Sequence, residues 1–393
     1  MIVAGVMSGT SADGINVALV TLAGRERGRP AQTGYAGFEL IGHAEYPYPK
    51  PVRPAVLAAM NASQASVAEL ARLNFRLGEL YADSVLAAAR QFRARLDLVG
   101  CHGQTLYHQG EPLLFLGRKV AATWQTGEAA IVAARVGVPA ISDFRPADMA
   151  VGGKGAPLVP FLDYMLFRHP HVGRIVQNIG GIANLTAIPA GAAVSDLIAF
   201  DTGPGNMVID AVTENLFRQS YDRGGKIAAS GKLLDRVIDE ILRRDFFRKD
   251  PPKTGGREEF GREFVRAFLR RCHRHPKEDV VATATALTAK SIADAVRRFV
   301  IRDSNSARKQ AFHEMILSGG GSKNATLMKM LTAELSTLGV RLRLSDDLGL
   351  PSAAKEAAAF AVLAYETWHQ RPSNVPSATG AKRAAVLGKI SYP

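Results

Sequence analysis

Small hydroxyl residues, glycines and one carboxylate are grouped in the N-terminal segment "MSGTSADGIN" (7–16), between two apolar runs. Glycines let the backbone approach a ligand closely, and the amides of such a turn can point at an anion. Because phosphate disfavours an uncompensated carboxylate nearby, Asp13 indicates a Mg²⁺ ion or its waters at the turn. The segment therefore predicts one side of a Mg-triphosphate site. The alternative is an Asp-Gly hairpin turn that needs no ligand.

A second cluster is "AFDTGPGNMVID" (199–210), in which Asp201 ends an apolar strand and "TGPG" leads into a helix. A carboxylate at a strand end is a candidate general base. The alternative is that Asp201 caps the following helix. The spacing alone supports the base and the cap interpretations equally.

A third cluster surrounds Arg145 in "SDFRPADMAVGGKGAPLVP" (142–160). Its planar guanidinium suits a substrate carboxylate or phosphate. A salt bridge to Asp143 or Asp148 is the structural alternative.

Histidines occur in two further segments. In "CHGQTLYH" (101–108), His102, Gln104 and His108 are candidates to bind substrate hydroxyls. "RRCHRHP" (270–276) lacks a fourth ligand at the spacing of a metal site, so we interpret it as surface.

Alternating strand and helix patterns predict an α/β protein that positions these residues. "RIVQNIGGIANLTAIP" (174–189) repeats the strand, glycine turn and strand of the N-terminus about 170 residues later. The two segments suggest two related halves facing one cleft. A third glycine turn, in "HEMILSGGGSKN" (313–324), opens a helix, and the turn-rich end (371–393) is expected to pack back on the body.

Composition limits the class of protein. With 393 residues, 47% hydrophobic and 22% charged, the chain has the size and balance of a two-domain globular protein. No apolar run approaches the ~20 residues of a membrane helix, and the N-terminus does not resemble a signal peptide. Two cysteines fit a reducing cytoplasm.

The net charge of +13 is concentrated in residues 243–277, with 12 Lys and Arg against 5 Asp and Glu. It indicates a solvated helix face, a nucleic-acid site or an acidic substrate.

Motifs along the whole chain carry a family resemblance. They are, in order, "GVMSGTSADGIN", "HGQT", "DFR" with "GGKGAPLVP", "NIGGIANLT", "FDTGPGN", "PPKTGGREEF", "LSGGGSKN", "AKEAAAFAVLAYE" and "TGA" with "LGKI". The chain resembles the anhydro-N-acetylmuramic acid kinases.

This resemblance implies the fold of hexokinase, actin and heat-shock ATPases: α/β, with two duplicated ribonuclease-H-like lobes around ATP. The expected lobes are residues 1–170 with 372–393, and residues 171–371. The implied reaction uses ATP to open the 1,6-anhydro bond hydrolytically and to phosphorylate the 6-position. The product would be N-acetylmuramic acid 6-phosphate, used in peptidoglycan recycling.

The resemblance also implies site residues. The family's catalytic aspartate corresponds to Asp201. The ATP-binding residues correspond to Gly9, Thr10, Ser11, Ala12, Asp13, Gly14, Ile15 and Asn16, with Gly180, Gly181, Gly319, Gly320 and Gly321. The expected substrate residues are His102, Gln104, Arg145 and Glu356, the last as an orienting group, and Asp13 would hold Mg²⁺ through water. Asn16 and Lys154 depart from the Asp and Gln that are common in the family.

Three other functions stay open at this stage. A levoglucosan kinase would act on an anhydro sugar without lactyl and acetamido groups. A non-catalytic ATP-binding protein of the actin or chaperone type is disfavoured, because no helical lid or peptide-binding domain follows. A nucleic-acid binder rests on charge alone. The expected partner is a small anhydro sugar in the cytoplasm, without nucleic acid or membrane, and a homodimer is left open.

Overall fold

The computed structural model describes residues 1–9, 12–23, 37–301 and 312–393. The chain forms two compact units: unit 1 is Met1–Leu166 with Ala353–Pro393, and unit 2 is Phe167–Ser352. Thr10 and Ser11, two of the predicted ATP-binding residues, lie outside the described residues.

Unit 1 contains a mixed seven-stranded sheet. Its strands are β1 (Ile2–Ser8), β2 (Gly14–Leu22), β3 (Phe38–Pro47), β4 (Leu98–Phe115), β5 (Arg118–Thr126), β6 (Ala140–Ser142) and, near the C-terminus, β12 (Lys389–Ser391). The strand order is β12-β6-β4-β1-β2-β3, with β5 paired to β4. β1, β2 and β3 are antiparallel neighbours, whereas β4 and β6 continue the sheet in parallel with β1.

The helices of unit 1 pack around its sheet. They are α1 (Val52–Ala59), α2 (Val67–Gln91), α3 (Ala129–Val136), α4 (Phe144–Ala150), α5 (Pro160–Phe167), α14 (Lys355–Trp368) and α15 (Pro376–Thr379). α2 shows why such segments are helical: Ser66 caps its N-terminus, and Leu77, Tyr81 and Val85 form a buried stripe at helical spacing.

Unit 2 contains a five-stranded sheet and eight α-helices within the described residues. The strands are β7 (Gly173–Ile179), β8 (Ile182–Ile188), β9 (Ile198–Pro204), β10 (Phe312–Ser318) and β11 (Arg341–Leu344). The helices are α6 (Asn206–Phe217), α7 (Lys226–Ser230), α8 (Asp235–Leu242), α9 (Asp245–Arg248), α10 (Arg257–Phe260), α11 (Arg262–Arg271), α12 (Lys277–Ala295) and α13 (Ala325–Ser336). α12 is buried on nearly every face and forms the centre of this unit.

The two sheets share one topology. In unit 2 the order is β11-β10-β7-β8-β9, with three antiparallel strands followed by two parallel ones. Unit 1 has the same arrangement in β6-β4-β1-β2-β3. The predicted α/β class is confirmed, and the strand order shared by the two sheets agrees with the predicted duplication.

One predicted boundary is corrected. The division at residue 371 assigned α14 to the second lobe, but α14 packs on β1, β2 and β4 of unit 1. Gly5 of β1 and Gly100 of β4 allow this contact, because a Cβ at either position would overlap a backbone carbonyl of α14. The first boundary lies close to its predicted position, after Leu166.

The chain end packs on unit 1 through Asp148, which is fully buried. Its carboxylate accepts hydrogen bonds from Gly155 N, Asn374 Nδ2 and Thr379 Oγ1, each at 2.8 Å. These bonds join the loop after α4 to the C-terminal segment. Of the helices in the described residues, none is both long and apolar enough to cross a bilayer.

We expect Asp148→Ala to lower the free energy of unfolding by roughly 3 kcal/mol or more, because it removes the shared acceptor of three buried hydrogen bonds. Urea denaturation measures this change. The matched control is Asp83→Ala, which breaks an exposed ion pair with Arg135 and costs ~1 kcal/mol or less. Equal destabilisation by the two variants would contradict the anchoring role.

Candidate active site

A buried polar network anchors the turn between β1 and β2. Ser8 Oγ lies 2.7 Å from Gln104 Oε1 and 2.6 Å from Tyr48 Oη, and Gln104 Nε2 donates to Gly9 O at 3.2 Å. Ala12 N closes the turn by donating to the same carbonyl. Gln104 has no exposed surface, and its amide holds the turn. Its contact with substrate stays a prediction.

Asp13 and Asn16, two of the predicted ATP-binding residues, follow this turn. The Asp13 carboxylate is 70% exposed and lies 3.2 Å from Arg53 NH2. Asn16 Oδ1 lies 3.0 Å from His43 Nε2 on the neighbouring strand β3. The departure at Asn16 is therefore accommodated by a hydrogen bond within the sheet.

Arg145, at the start of α4, is held by a neutral histidine. His102 Nδ1 donates to Gly103 O at 2.8 Å, so Nε2 is left to accept from Arg145 Nε at 3.1 Å and NH2 at 2.9 Å. Arg145 NH1 donates to Gly155 O at 2.7 Å. Burial, and then the charge of Arg145, holds the pKa of His102 well below its usual range.

These bonds decide the alternative for Arg145. Among the described ion pairs, Asp143 is paired with Lys389 and neither Asp143 nor Asp148 is a partner of Arg145. The predicted structural salt bridge is therefore absent from the described residues, and the guanidinium is oriented by acceptors that carry no charge. Such an orientation leaves its charge available for an acidic group of a ligand.

Two other groups, His108 and Glu356, share the surroundings of Arg145. Burial, with the charge of Arg145, lowers the pKa of His108 to about 4. Glu356, in the first turn of α14, is exposed, and its charge favours the protonated guanidinium of Arg145. Thus His102, His108, Arg145 and Glu356 occupy one region of unit 1. Lys154, the second departure, forms an ion pair with Glu111 at 2.6 Å that links the loop to β4.

In unit 2, three glycine turns meet. Gly205 N donates to Gly181 O at 2.9 Å, and Asn206 N donates to Gly180 O at 2.8 Å. Gly319 has φ +93°, and a Cβ there would lie 2.6 Å from Ile179 O. The second hairpin, the turn before α6 and the turn after β10 are therefore in direct contact.

Two of these turns present open backbone. A Cβ at Gly180, Gly181 or Gly320 would meet no atom closer than 3.5 Å. Open glycine turns at the N-terminus of a helix favour an anionic ligand. Gly321, by contrast, is buried against Ile179.

Asp201 lies on β9 and is fixed by the segment that follows α9. Asp201 N donates to Lys253 O at 3.0 Å, and Gly255 N donates to Asp201 Oδ2 at 2.9 Å. Burial raises the pKa of Asp201 to about 6, opposed by the Gly255 amide and assisted by the charge of Glu258. A carboxylate with this pKa is ionised at neutral pH and is basic enough to take a proton.

The helix-cap alternative for Asp201 is excluded. The residue at the N-cap of α6 is Gly205, and α6 has no side-chain cap.

The sequence analysis did not identify Lys253 as a functional residue, although its segment "PPKTGG" belongs to one of the motifs that carry the family resemblance. The single signal was an isolated lysine between prolines and glycines. In the "RRCHRHP" segment Cys272 is buried and both histidines are exposed. The described residues contain no cluster of potential metal ligands.

Comparisons with known proteins cover the full chain. Residues 1–393 match the family model described as anhydro-N-acetylmuramic acid kinase. A protein of that name from Bacillus cereus is 42% identical over 100% of this chain and 99% of its own length. Its namesake from Bacillus anthracis is 42% identical over 100% of both chains. Among solved structures, a ROK hexokinase from Thermus thermophilus matches with a TM-score of 0.41 at 13% identity, covering 94% of this chain and 99% of that one.

Proposed function

The chain belongs to the anhydro-N-acetylmuramic acid kinase family, and on that premise we propose how its residues carry out the reaction. The substrates are 1,6-anhydro-N-acetylmuramic acid, ATP and water. The product is N-acetylmuramic acid 6-phosphate, which serves cell-wall recycling. The single observation that carries the assignment of the base is the half-buried carboxylate of Asp201, which accepts a hydrogen bond from Gly255 N and lies beside a turn that contacts the glycine hairpin 180–181.

We propose that Asp201 takes a proton from the water that attacks the anomeric carbon. The bond from that carbon to the bridging oxygen breaks, and the oxygen accepts the γ-phosphoryl group of ATP. Phosphoryl transfer depends mainly on placement and on compensation of charge. The glycine turns at Gly9 and Gly180 let the phosphates approach the backbone closely, and Arg145 receives the lactyl carboxylate.

Mg²⁺ fits this set of donors. Asp13 is the exposed carboxylate of the first glycine turn, and Mg²⁺ is usually held by one or two carboxylates together with phosphates and waters. We propose that Asp13 holds the ion through water. When bound, the ion neutralises charge on the phosphates.

The substrate is tested by measuring ADP release with anhydro-N-acetylmuramate and with levoglucosan side by side. We expect a strong preference for the muramate, because levoglucosan has no carboxylate for Arg145. Arg145→Leu should remove that preference by raising KM for the muramate alone. Equal use of both sugars by the wild-type protein would contradict the proposed contact.

The order of ring opening and phosphorylation is tested in oxygen-18 water. Among the described residues Asp201 is the candidate base, and no second carboxylate has the same motif support for protonating the leaving oxygen as a glycosidase would. We therefore expect ring opening to require ATP. In a short incubation the label should enter the anomeric hydroxyl and not the phosphate. Ring-opened, unphosphorylated sugar formed without nucleotide would refute the coupled reaction.

We further propose that the protein forms a homodimer in the cytoplasm. The ribbon β4–β5 exposes four consecutive apolar residues at its tip, Leu113, Leu114, Phe115 and Leu116, which favours contact with another surface. Both cysteines are free and buried, as expected in a reducing compartment. Light scattering checks the assembly: we expect twice the chain mass, and a monomer for Phe115→Asp.

We propose that nucleic acid is not a partner. Phe246, Phe247 and Phe260, three aromatic residues of the basic segment, are buried in the core of unit 2. They are therefore not available for base stacking, and the basic side chains form a solvated surface.

A further inference from the structure

Lys253 is buried although its side chain carries an ammonium group. The residue is only 2% exposed. Its Nζ donates to Phe246 O at 3.1 Å and to Phe247 O at 3.3 Å. The ring centroids of Phe299, Phe246 and Phe200 lie 4.4, 5.3 and 5.7 Å from Nζ. Carbonyl oxygens and aromatic faces are the groups that compensate a buried cation.

The same short segment holds Asp201 at two points. Lys253 O accepts from Asp201 N at 3.0 Å, and Gly255 N donates to Asp201 Oδ2 at 2.9 Å. Phe200, which forms one wall around the ammonium, directly precedes Asp201 in β9. The side chain of Lys253 thus fixes the backbone that in turn fixes the carboxylate.

We propose that Lys253 is a positioning residue for Asp201: its buried ammonium holds the 253–255 segment so that the Gly255 amide stays on the carboxylate. This inference rests on the proposed role of Asp201 as the base. Lys253 itself does not reach the substrate, because its ammonium is enclosed by Phe246, Phe247 and Phe299.

Neighbouring charged groups shift the pKa values of both Lys253 and Asp201. Burial lowers the pKa of Lys253 to about 8; among its charged neighbours, Arg298 and Lys249 lower the pKa, and Asp294 and Asp250 raise it. The ammonium is therefore protonated at neutral pH. Around Asp201, the Gly255 amide favours the ionised form and Glu258 opposes it.

Removing the ammonium has two expected consequences. Without it the segment is free to shift, and Asp201 loses the donor that stabilises its charge, so its pKa rises above about 6. A base displaced by about 1 Å lowers turnover by ~100-fold or less, with little effect on substrate binding. A purely structural lysine would change stability and leave the pKa of Asp201 where it is.

The experiment compares Lys253→Met, which keeps the length of the side chain but not its charge, with Lys253→Arg, which keeps both donors and charge. Lys290→Met is the matched control, since Lys290 lies in the same unit and pairs with Asp235 near the surface. The pKa of Asp201 is read from carbon-13 NMR of labelled aspartate carboxyls, with its signal assigned by its absence in Asp201→Asn. kcat and KM are measured over pH on the same samples.

We expect Lys253→Met to raise the pKa of Asp201 and to lower kcat with KM nearly unchanged, Lys253→Arg to restore both in large part, and Lys290→Met to match the wild type. If Lys253→Met does not fold, Phe299→Leu removes the nearest ring and should shift the pKa in the same direction by less. An unchanged pKa of Asp201 in the folded variant would overturn the proposal. If the pKa rises while kcat stays constant, Lys253 does position Asp201, and it is the role of Asp201 as the base that fails.

Discussion

Asp201→Asn is expected to lower turnover by about 100- to 10,000-fold, the range for loss of a general base. The amide has nearly the shape of the carboxylate and still accepts the hydrogen bond from Gly255 N, so the 253–255 segment is retained. It cannot take a proton from water. ATP binding, which depends on the glycine turns, should stay close to the wild-type value.

The pH dependence gives the same prediction a second test. Because the base must be ionised, kcat/KM of the wild-type protein should fall as the pH is lowered through about 6, the pKa of Asp201. Asp210 provides the control, since burial also raises its pKa to about 6 and it lies on α6 of the same unit. Asp210→Asn should retain both the turnover and the acid limb.

Measurement requires steady-state kinetics for the three proteins and a nucleotide titration by calorimetry. If Asp201→Asn keeps more than half of the wild-type turnover, Asp201 is not the general base. Loss of ATP binding together with turnover would instead mean that the substitution disturbs the glycine turns, and then the kinetic loss could not be attributed to the missing base.

The hairpins and their turns could be predicted from the sequence because the relevant signal is local. Two apolar runs with glycines between them fix a strand, a turn and a strand, and this is what β1–β2 and β7–β8 are. Asp201 could be singled out for the same reason, as a carboxylate at the end of an apolar run before "TGPG". Local sequence did not separate the base from the cap interpretation. Gly205 at the N-cap of α6 removes the cap interpretation, and the role of Asp201 as a base stays a prediction.

Other features depend on packing between distant segments. α14 has the apolar pattern of a buried helix, but this pattern does not indicate which sheet the helix packs on. Gly5 and Gly100 in the sheet of unit 1 allow the close contact with α14. Gln104 reads as a polar residue suited to a ligand, yet Ser8 and Gly9 use its amide within the protein. Lys253 depends on aromatic residues from three separate parts of the chain, so no local pattern announces it.

The second large effect is expected from Gly319→Ala, which should weaken ATP binding by about 10- to 100-fold. Gly319 has φ +93°, where a side chain is strained, and its Cβ would lie 2.6 Å from Ile179 O and 2.7 Å from Asn178 Oδ1. A backbone carbonyl in a central strand cannot move aside without displacing β7. Backbone strain and overpacking each cost about 1–3 kcal/mol, and relief by moving the turn would alter the open backbone at Gly320.

Gly339→Ala is the control that separates backbone strain from the overlap of the new Cβ with neighbouring atoms. Gly339 also has a positive φ, +71°, but a Cβ there would meet no atom within 4 Å. It therefore carries the conformational strain without the contact, and its affinity for ATP should stay near that of the wild type while stability falls slightly. Calorimetric titration of ATP into the three proteins decides the matter. If Gly319→Ala and Gly339→Ala bind ATP equally well, then the contact between the turn after β10 and β7 does not shape the nucleotide site, and Gly319 serves only as a turn residue.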